Sequence, residues 1–163
     1  MNRAIAGIVT AVAAALTAAT ASAGTVEIGD LLLPFDSRVW HIQRDGEQMS
    51  LQQVDDRDGD LAITVKVEEG EAAACSQQAM SDLSAILSRP SWQAETFTVA
   101  RDGFDLHVAT VQLGCRNWTG SPVYACAFYR GRVYTFIADP GGCDTPPLYD
   151  EPVLEALGGL VRR

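Results

Sequence analysis

Hydrophobic and polar positions alternate along much of this chain. In LAITVKVEEG, Leu61, Ile63, Val65 and Val67 fall on one side and polar residues dominate the other, the period-two pattern of a half-buried strand. RVWHIQRDGEQMSLQQV predicts two strands folded about Asp45-Gly46, a strong short-hairpin signal. Val39 and His41 face one way there, Trp40 and Ile42 the other. In EAAACSQQAMSDLSAILSRP the period lengthens. Cys75, Ala79, Leu83 and Ile86 form an apolar stripe at helical spacing, widened by Met80 and Leu87 and ended by Pro90. Four strands follow: WQAETFTVARDG turns at Asp102-Gly103 into FDLHVATVQLGCR, and SPVYACAFYRG turns about Gly131 into RVYTFIADPG.

EPVLEALGGLVRR predicts a closing helix. Glu151 and Pro152 suit its first turn, and Arg162-Arg163 suit its negative C-terminal end. Val153, Leu154, Leu157, Leu160 and Val161 give its buried face. Residues 24–36 read as a lead-in, with Leu31-Leu32-Leu33 a short strand or docking segment stopped by Pro34. The order hairpin, strand, helix, four strands, helix predicts an α+β domain: a single antiparallel β-sheet of about six to seven strands packed by two α-helices. FDLHVATVQL carries apolar residues on both faces, so the helices are expected on opposite sides of the sheet.

The first 23 residues change the picture of where the chain works. Arg3 is followed by an Ala-rich apolar run and by Ala21-Ser22-Ala23, an A-x-A cleavage pattern. This predicts a cleavable secretory signal over residues 1–23 and one domain over residues 24–163, periplasmic or secreted, with no stable membrane span after cleavage. Loss of Arg3 with the leader leaves 11 basic against 21 acidic side chains, a net charge of −10. Such a surface repels phosphate backbones and anionic lipids, which argues against nucleic acid as a partner.

Cys75, Cys115, Cys126 and Cys143 are an even set in an exported chain, which predicts two disulfides. Close C-x-x-C pairs for zinc or thiol redox chemistry are absent. If the hairpin after FDLHVATVQLGCR centres on Gly120-Ser121, Cys115 and Cys126 stand opposite one another. That geometry favours Cys115–Cys126 and leaves Cys75 with Cys143.

The entry motif LPFDSRVWHIQRDGEQMSL, the central helix and the closing RGRVYTFIADPGGCDTPPLYDEPVLEALGGL together resemble the PsbP/DcrB-like α/β sandwich family. Trp40 and the helix over residues 153–160 sit at the matching places. The resemblance implies a lumenal or periplasmic accessory module, mostly non-catalytic, that binds other proteins.

Residues 55–60, DDRDGD, look at first like a calcium loop. An EF-hand spacing from Asp56 puts Leu61 where glycine is needed and Val67 where the bidentate acid belongs, so a hairpin turn at Asp58-Gly59 is the better reading. No G-x-S-x-G, G-x-G-x-x-G, Walker loop or H-E-x-x-H occurs. His41 and His107 read as strand residues with no nucleophile placed beside either, and a two-histidine metal site would require their strands to meet. Gly141-Gly142 with Asp139 and Asp144 fit an ordinary strand-to-helix loop. The expectation is therefore no enzyme, no catalytic residues, no metal site and no cofactor.

Aromatic and arginine residues are the better lead, because they anchor protein interfaces. Trp118 in its hairpin loop, with Tyr124, Tyr129, Arg130, Arg132 and Tyr134 in the next hairpin, forms the candidate protein-binding surface. The chain thus reads as an exported, disulfide-stabilised accessory module with an unknown protein partner. The alternatives are a periplasmic small-ligand or metal-binding protein and an inhibitor or immunity-type protein.

Overall fold

A computed structural model describes residues 23–46, 48–54, 62–87, 93–114, 119–120, 122–138 and 150–163. Within them the chain is mostly β with two α-helices. A large antiparallel sheet has the order β3-β4-β5-β10-β9-β7-β6, and a small one the order β1-β2-β11. The strands are β1 (Ala23–Ile28), β2 (Leu31–Asp36), β3 (Trp40–Asp45), β4 (Gln48–Gln53), β5 (Ala62–Glu69), β6 (Gln93–Arg101), β7 (Phe104–Gly114), β8 (Thr119–Gly120), β9 (Val123–Tyr129), β10 (Arg132–Ala138) and β11 (Val161–Arg162). The helices are α1 (Gln77–Leu87) and α2 (Asp150–Gly158). The short β8 pairs with the end of β7.

The alternation seen in the sequence sorts the side chains into two layers. One face of the large sheet turns Trp40, Leu51, Ile63, Val65, Leu106, Val108, Tyr134 and Phe136 into the main core. Val26, Ile28, Leu31 and Leu33 of the small sheet cover that face, together with Val153, Ala156 and Leu157 of α2. On the other face, Cys75, Met80 and Leu83 cover Ala109 and Cys126. That second cluster occupies only the β7-β9-β10 part. Over β3 and β5 the same face is polar, with His41, Lys66 and Glu68 exposed. The two helices therefore lie on opposite sides, as the doubly apolar β7 requires.

Three departures from expectation have local causes. Residues 24–36 are not a lead-in but a hairpin: β1 and β2 pair in full register from Ala23↔Asp36 to Ile28↔Leu31. Pro34 sits inside β2, beyond the two residues that β11 pairs, Leu31 and Leu32, so its missing N–H removes no bond on that side. The sheet is therefore not single.

The closing helix stops at Gly158. Gly159 and Leu160 donate to the carbonyls of Ala156 and Leu157, a tightened last turn, and the chain then extends as β11. Val161 is consequently exposed rather than buried. The two glycines, weak helix formers, end the helix before its arginines.

The central helix is also split. Ala72–Cys75 forms a 3-10 turn, and α1 begins after Ser76. The Ser76 hydroxyl accepts the Ala79 N–H at 3.1 Å, a side-chain N-cap. Val67, expected inside, is 37% exposed at the rim. Leu61, Pro90 and the acidic stretch at residues 55–60 lie outside the described residues.

The disulfide pairing is corrected outright. Cys75 is bonded to Cys126, with their Cα atoms 5.4 Å apart. The reason is register. Cys126 stands opposite His107 in the β7–β9 ladder. The same register continues to Leu113↔Gly120 and Gly114↔Thr119, so Gly120 is a paired strand residue and not the centre of a turn. Cys126 faces outward toward the 3-10 turn, which brings Cys75 to it. Cys115 and Cys143 lie outside the described residues. A disulfide fits an exported protein. No helix among the described residues is long and apolar enough to cross a membrane.

Candidate functional site

The β9–β10 hairpin ends in Arg130-Gly131, with Tyr129 opposite Arg132. Both turn residues have positive φ, +50° for Arg130 and +76° for Gly131, the pattern of a type I′ turn. That turn ordinarily selects Asn or Asp at its first position. A bulky side chain there costs about 1 kcal/mol. Arginine occupies it nonetheless.

A second turn meets this one. Gly29-Asp30 joins β1 to β2, and Asp30 is held from several sides. Its N–H donates to the Tyr134 hydroxyl at 3.1 Å. Its carbonyl accepts the Arg163 N–H at 2.9 Å. Its two carboxylate oxygens lie 3.8 Å from Arg130 Nη1 and 4.0 Å from Arg132 Nη1. Gly29 permits the approach: it has φ +58°, and a Cβ there would lie 3.0 Å from Tyr134 Oη and 3.3 Å from Arg132 Nη1.

The Arg130 guanidinium carbon also sits 5.2 Å from the centre of the Tyr129 ring, within cation–π range. Tyr129 packs in turn on Phe104, with ring centres 5.9 Å apart. Phe104 follows the Asp102-Gly103 turn, where Asp102 pairs with Arg162 at 2.6 Å. Arg163 pairs with Glu27 at 3.2 Å. Arg101 precedes that turn, and its buried Nε has no hydrogen-bond partner among the described residues. One end of the sandwich thus gathers Arg101, Arg130, Arg132, Arg162 and Arg163 in a strongly acidic chain.

The expected surface is divided. Tyr129, Arg130 and Arg132 come together at this end. Tyr134 does not belong to the surface: it is 0% exposed, a core residue whose hydroxyl supports Asp30 from beneath. Tyr124 lies near the far end of the hairpin, opposite Ile137, and packs on the α1 side against the Cys75–Cys126 cluster. Trp118 lies outside the described residues, as do residues 139–144. Asp30 is not among the residues the sequence points to, and Arg162 and Arg163 are expected from it at a helix end and not at this surface. The Gly29-Asp30 dipeptide between two apolar runs was the turn signal that could have placed Asp30.

His41 and His107 do not meet. Four strands separate β3 from β7 in the sheet order, roughly 24 Å at the usual strand spacing. His107 Nδ1 lies 2.9 Å from Thr98 Oγ1 across the β6–β7 pair. Among the described residues no group of three metal-ligating side chains converges.

A separate cavity of about 330 Å³ opens between α2 and the β2–β3 connection. Pro34, Phe35, Val39, Trp40, Pro152 and Ala156 make it mainly apolar, and Asp36 and Glu155 add carboxylates. Arg38 donates to both Asp36 oxygens, at 3.0 and 2.6 Å. Those side-chain hydrogen bonds, with one from the Arg38 backbone, hold the Asp36 carboxyl down to about 2.

No family model matches this chain, and no curated protein matches it. Among solved structures it is similar to a protein from Bacteroides thetaiotaomicron VPI-5482, with a TM-score of 0.50 and 12% identity. The match covers 82% of this chain and 45% of that one, so the chain spans less than half the length of its structural neighbour. At that identity the likeness is one of fold alone.

Proposed function

We propose that the protein is an exported, disulfide-stabilised accessory module that binds a protein partner through the Arg130 end of its sandwich. The observation that carries this reading is the Arg130-Gly131 turn. An arginine held at positive φ, stacked on Tyr129 and set beside Arg132, is a costly arrangement for a hairpin and an apt one for an interface. The leader, the even cysteine count and the resemblance to PsbP/DcrB-like accessory proteins support the same reading. An inhibitor or immunity-type role would be one form of it.

The test is co-purification from the exporting cells with wild type and with R130E/R132E. The expected result is a partner lost from the double variant while its melting temperature stays within a few degrees of wild type. Equal recovery of every co-purifying protein by both would count against the reading.

A second reading, a small-ligand-binding protein, is favoured by the 330 Å³ cavity, which falls in the size range of ligand pockets. Native mass spectrometry of the exported protein would then show a retained mass that Ala156→Trp removes.

A further inference from the structure

We infer that the ligand of the Arg130–Arg132 pair is carboxylate: the partner presents an acidic segment, rich in Asp or Glu, to this end of the sandwich. This rests on the protein-binding reading above and names the chemistry of its partner.

Four observations support the assignment. First, Asp30 already shows what the pair binds, because its carboxylate stands between the two guanidinium groups. Second, Asp30 leaves most of their capacity unused. Each guanidinium carries five N–H donors, and the two share one carboxylate at 3.8 and 4.0 Å, beyond hydrogen-bond length. Third, both side chains stay open to solvent, 63% for Arg130 and 47% for Arg132. Fourth, part of the site is held in place. Arg130 is fixed by its turn and by Tyr129, and Asp30 is fixed by Tyr134 and Arg163. A planar, oriented guanidinium recognises carboxylate in two-point fashion and at little entropic cost.

The net charge sharpens the point. A chain with a formal net charge of −9 repels acidic partners over most of its surface. An acidic segment therefore meets least repulsion where Arg130 and Arg132 share the Asp30 carboxylate, with Glu69 opposite Arg132 on the neighbouring strand.

The experiment uses the full exported protein and a fluorescein-labelled hexaglutamate peptide, read by anisotropy. Wild type is expected to bind with an affinity that falls as salt rises. R130N and R132Q should each weaken binding at least tenfold. R130N places a favoured residue in the type I′ turn, so its melting temperature should be at or above that of wild type. A fall of more than about 5 °C would show that Arg130 is a fold residue and overturn the proposal. R130K/R132K, which keeps charge and loses the fork, should recover less than half of the lost affinity; full recovery would overturn two-point recognition. Displacement of the peptide by inorganic phosphate at equal concentration would overturn the choice of carboxylate. So would hexaglutamate binding that is absent, or that both variants leave unchanged. If hexaglutamate fails to release a partner that R130E/R132E loses, this inference falls and the protein-binding reading stands. If partner capture ignores R130E/R132E, the reading falls and takes the inference with it.

Discussion

Cys126 stands opposite His107 in the β7–β9 ladder and is bonded on its outer face to Cys75. The bond spans 51 residues and clamps the start of the β5-to-β6 crossover onto the middle of the sheet. Non-reducing peptide mapping should find Cys75 linked to Cys126. C75A/C126A should lose about 2–4 kcal/mol in denaturant unfolding. A peptide linking Cys115 to Cys126 would contradict the register described here.

Tyr134→Phe removes one hydroxyl from the core and leaves the Asp30 N–H without its acceptor. The cost should be about 1 kcal/mol in urea unfolding. Because Tyr134 is fully buried, the same variant should keep any partner that wild type binds, with at most a small loss. A loss of binding as large as that of R130E/R132E, with stability unchanged, would put Tyr134 on the surface after all.

Ser76→Ala should cost about 1 kcal/mol, the usual worth of an N-cap. Ser76→Asp should restore most of it, since aspartate accepts the same N–H and suits the positive end of α1. If alanine and aspartate behave alike, the cap is not what starts the helix.

Asp36 provides a test by pH. Its carboxyl is lowered from 3.8 to about 2 in the folded chain, chiefly by hydrogen bonds from the Arg38 side chain. A depressed folded value means that the group stabilises the fold above pH 3.8 and ceases to as pH falls to about 2. Wild type should therefore exceed R38Q in stability above pH 4, and the two should converge near pH 2. The Asp36 carboxyl resonance in R38Q should titrate higher than in wild type, while the backbone N–H of residue 38 still holds it below the ordinary value. Acid unfolding curves that stay parallel through that window would rule the pairing out.

What the sequence made legible was set by the range of the interactions. The hairpins at Asp102-Gly103 and Arg130-Gly131 were readable because two turn residues fix the local backbone; the first hairpin was readable as well, but one residue out, because Asp45 pairs with Gln48 and the turn begins at Gly46. The faces of β5, apart from Val67 at its rim, and of β7 were readable because burial follows the pleat. The β7–β9 register was not. Gly120 and Pro122 suggested a turn, yet Gly120 pairs with Leu113, and that shift relocated the disulfide. The small sheet was hidden for a similar reason. The strand at Val161-Arg162 exists only because β2 offers it an edge. The candidate surface was half legible: arginine and tyrosine in a hairpin suggested it, but Asp30, which organises it, lies 100 residues away from Arg130 in the chain.

The order of the large sheet also bears on how the chain reaches its folded state. Most of its neighbouring strands are close in sequence, in two runs, β3-β4-β5 and β6-β7-β9-β10. The β5–β10 ladder joins the runs, pairing Glu69 with Arg132 and Thr64 with Ile137. Each run can zip up locally, whereas that seam closes a loop of more than sixty residues and sets the pace of folding. In a chain made from its N-terminus, β5 pairs with β4 but waits with its other edge unpaired until residues 132–138 emerge. The interval before the seam closes is when this protein is most open to pairing with a neighbour, and when a holding chaperone would matter most.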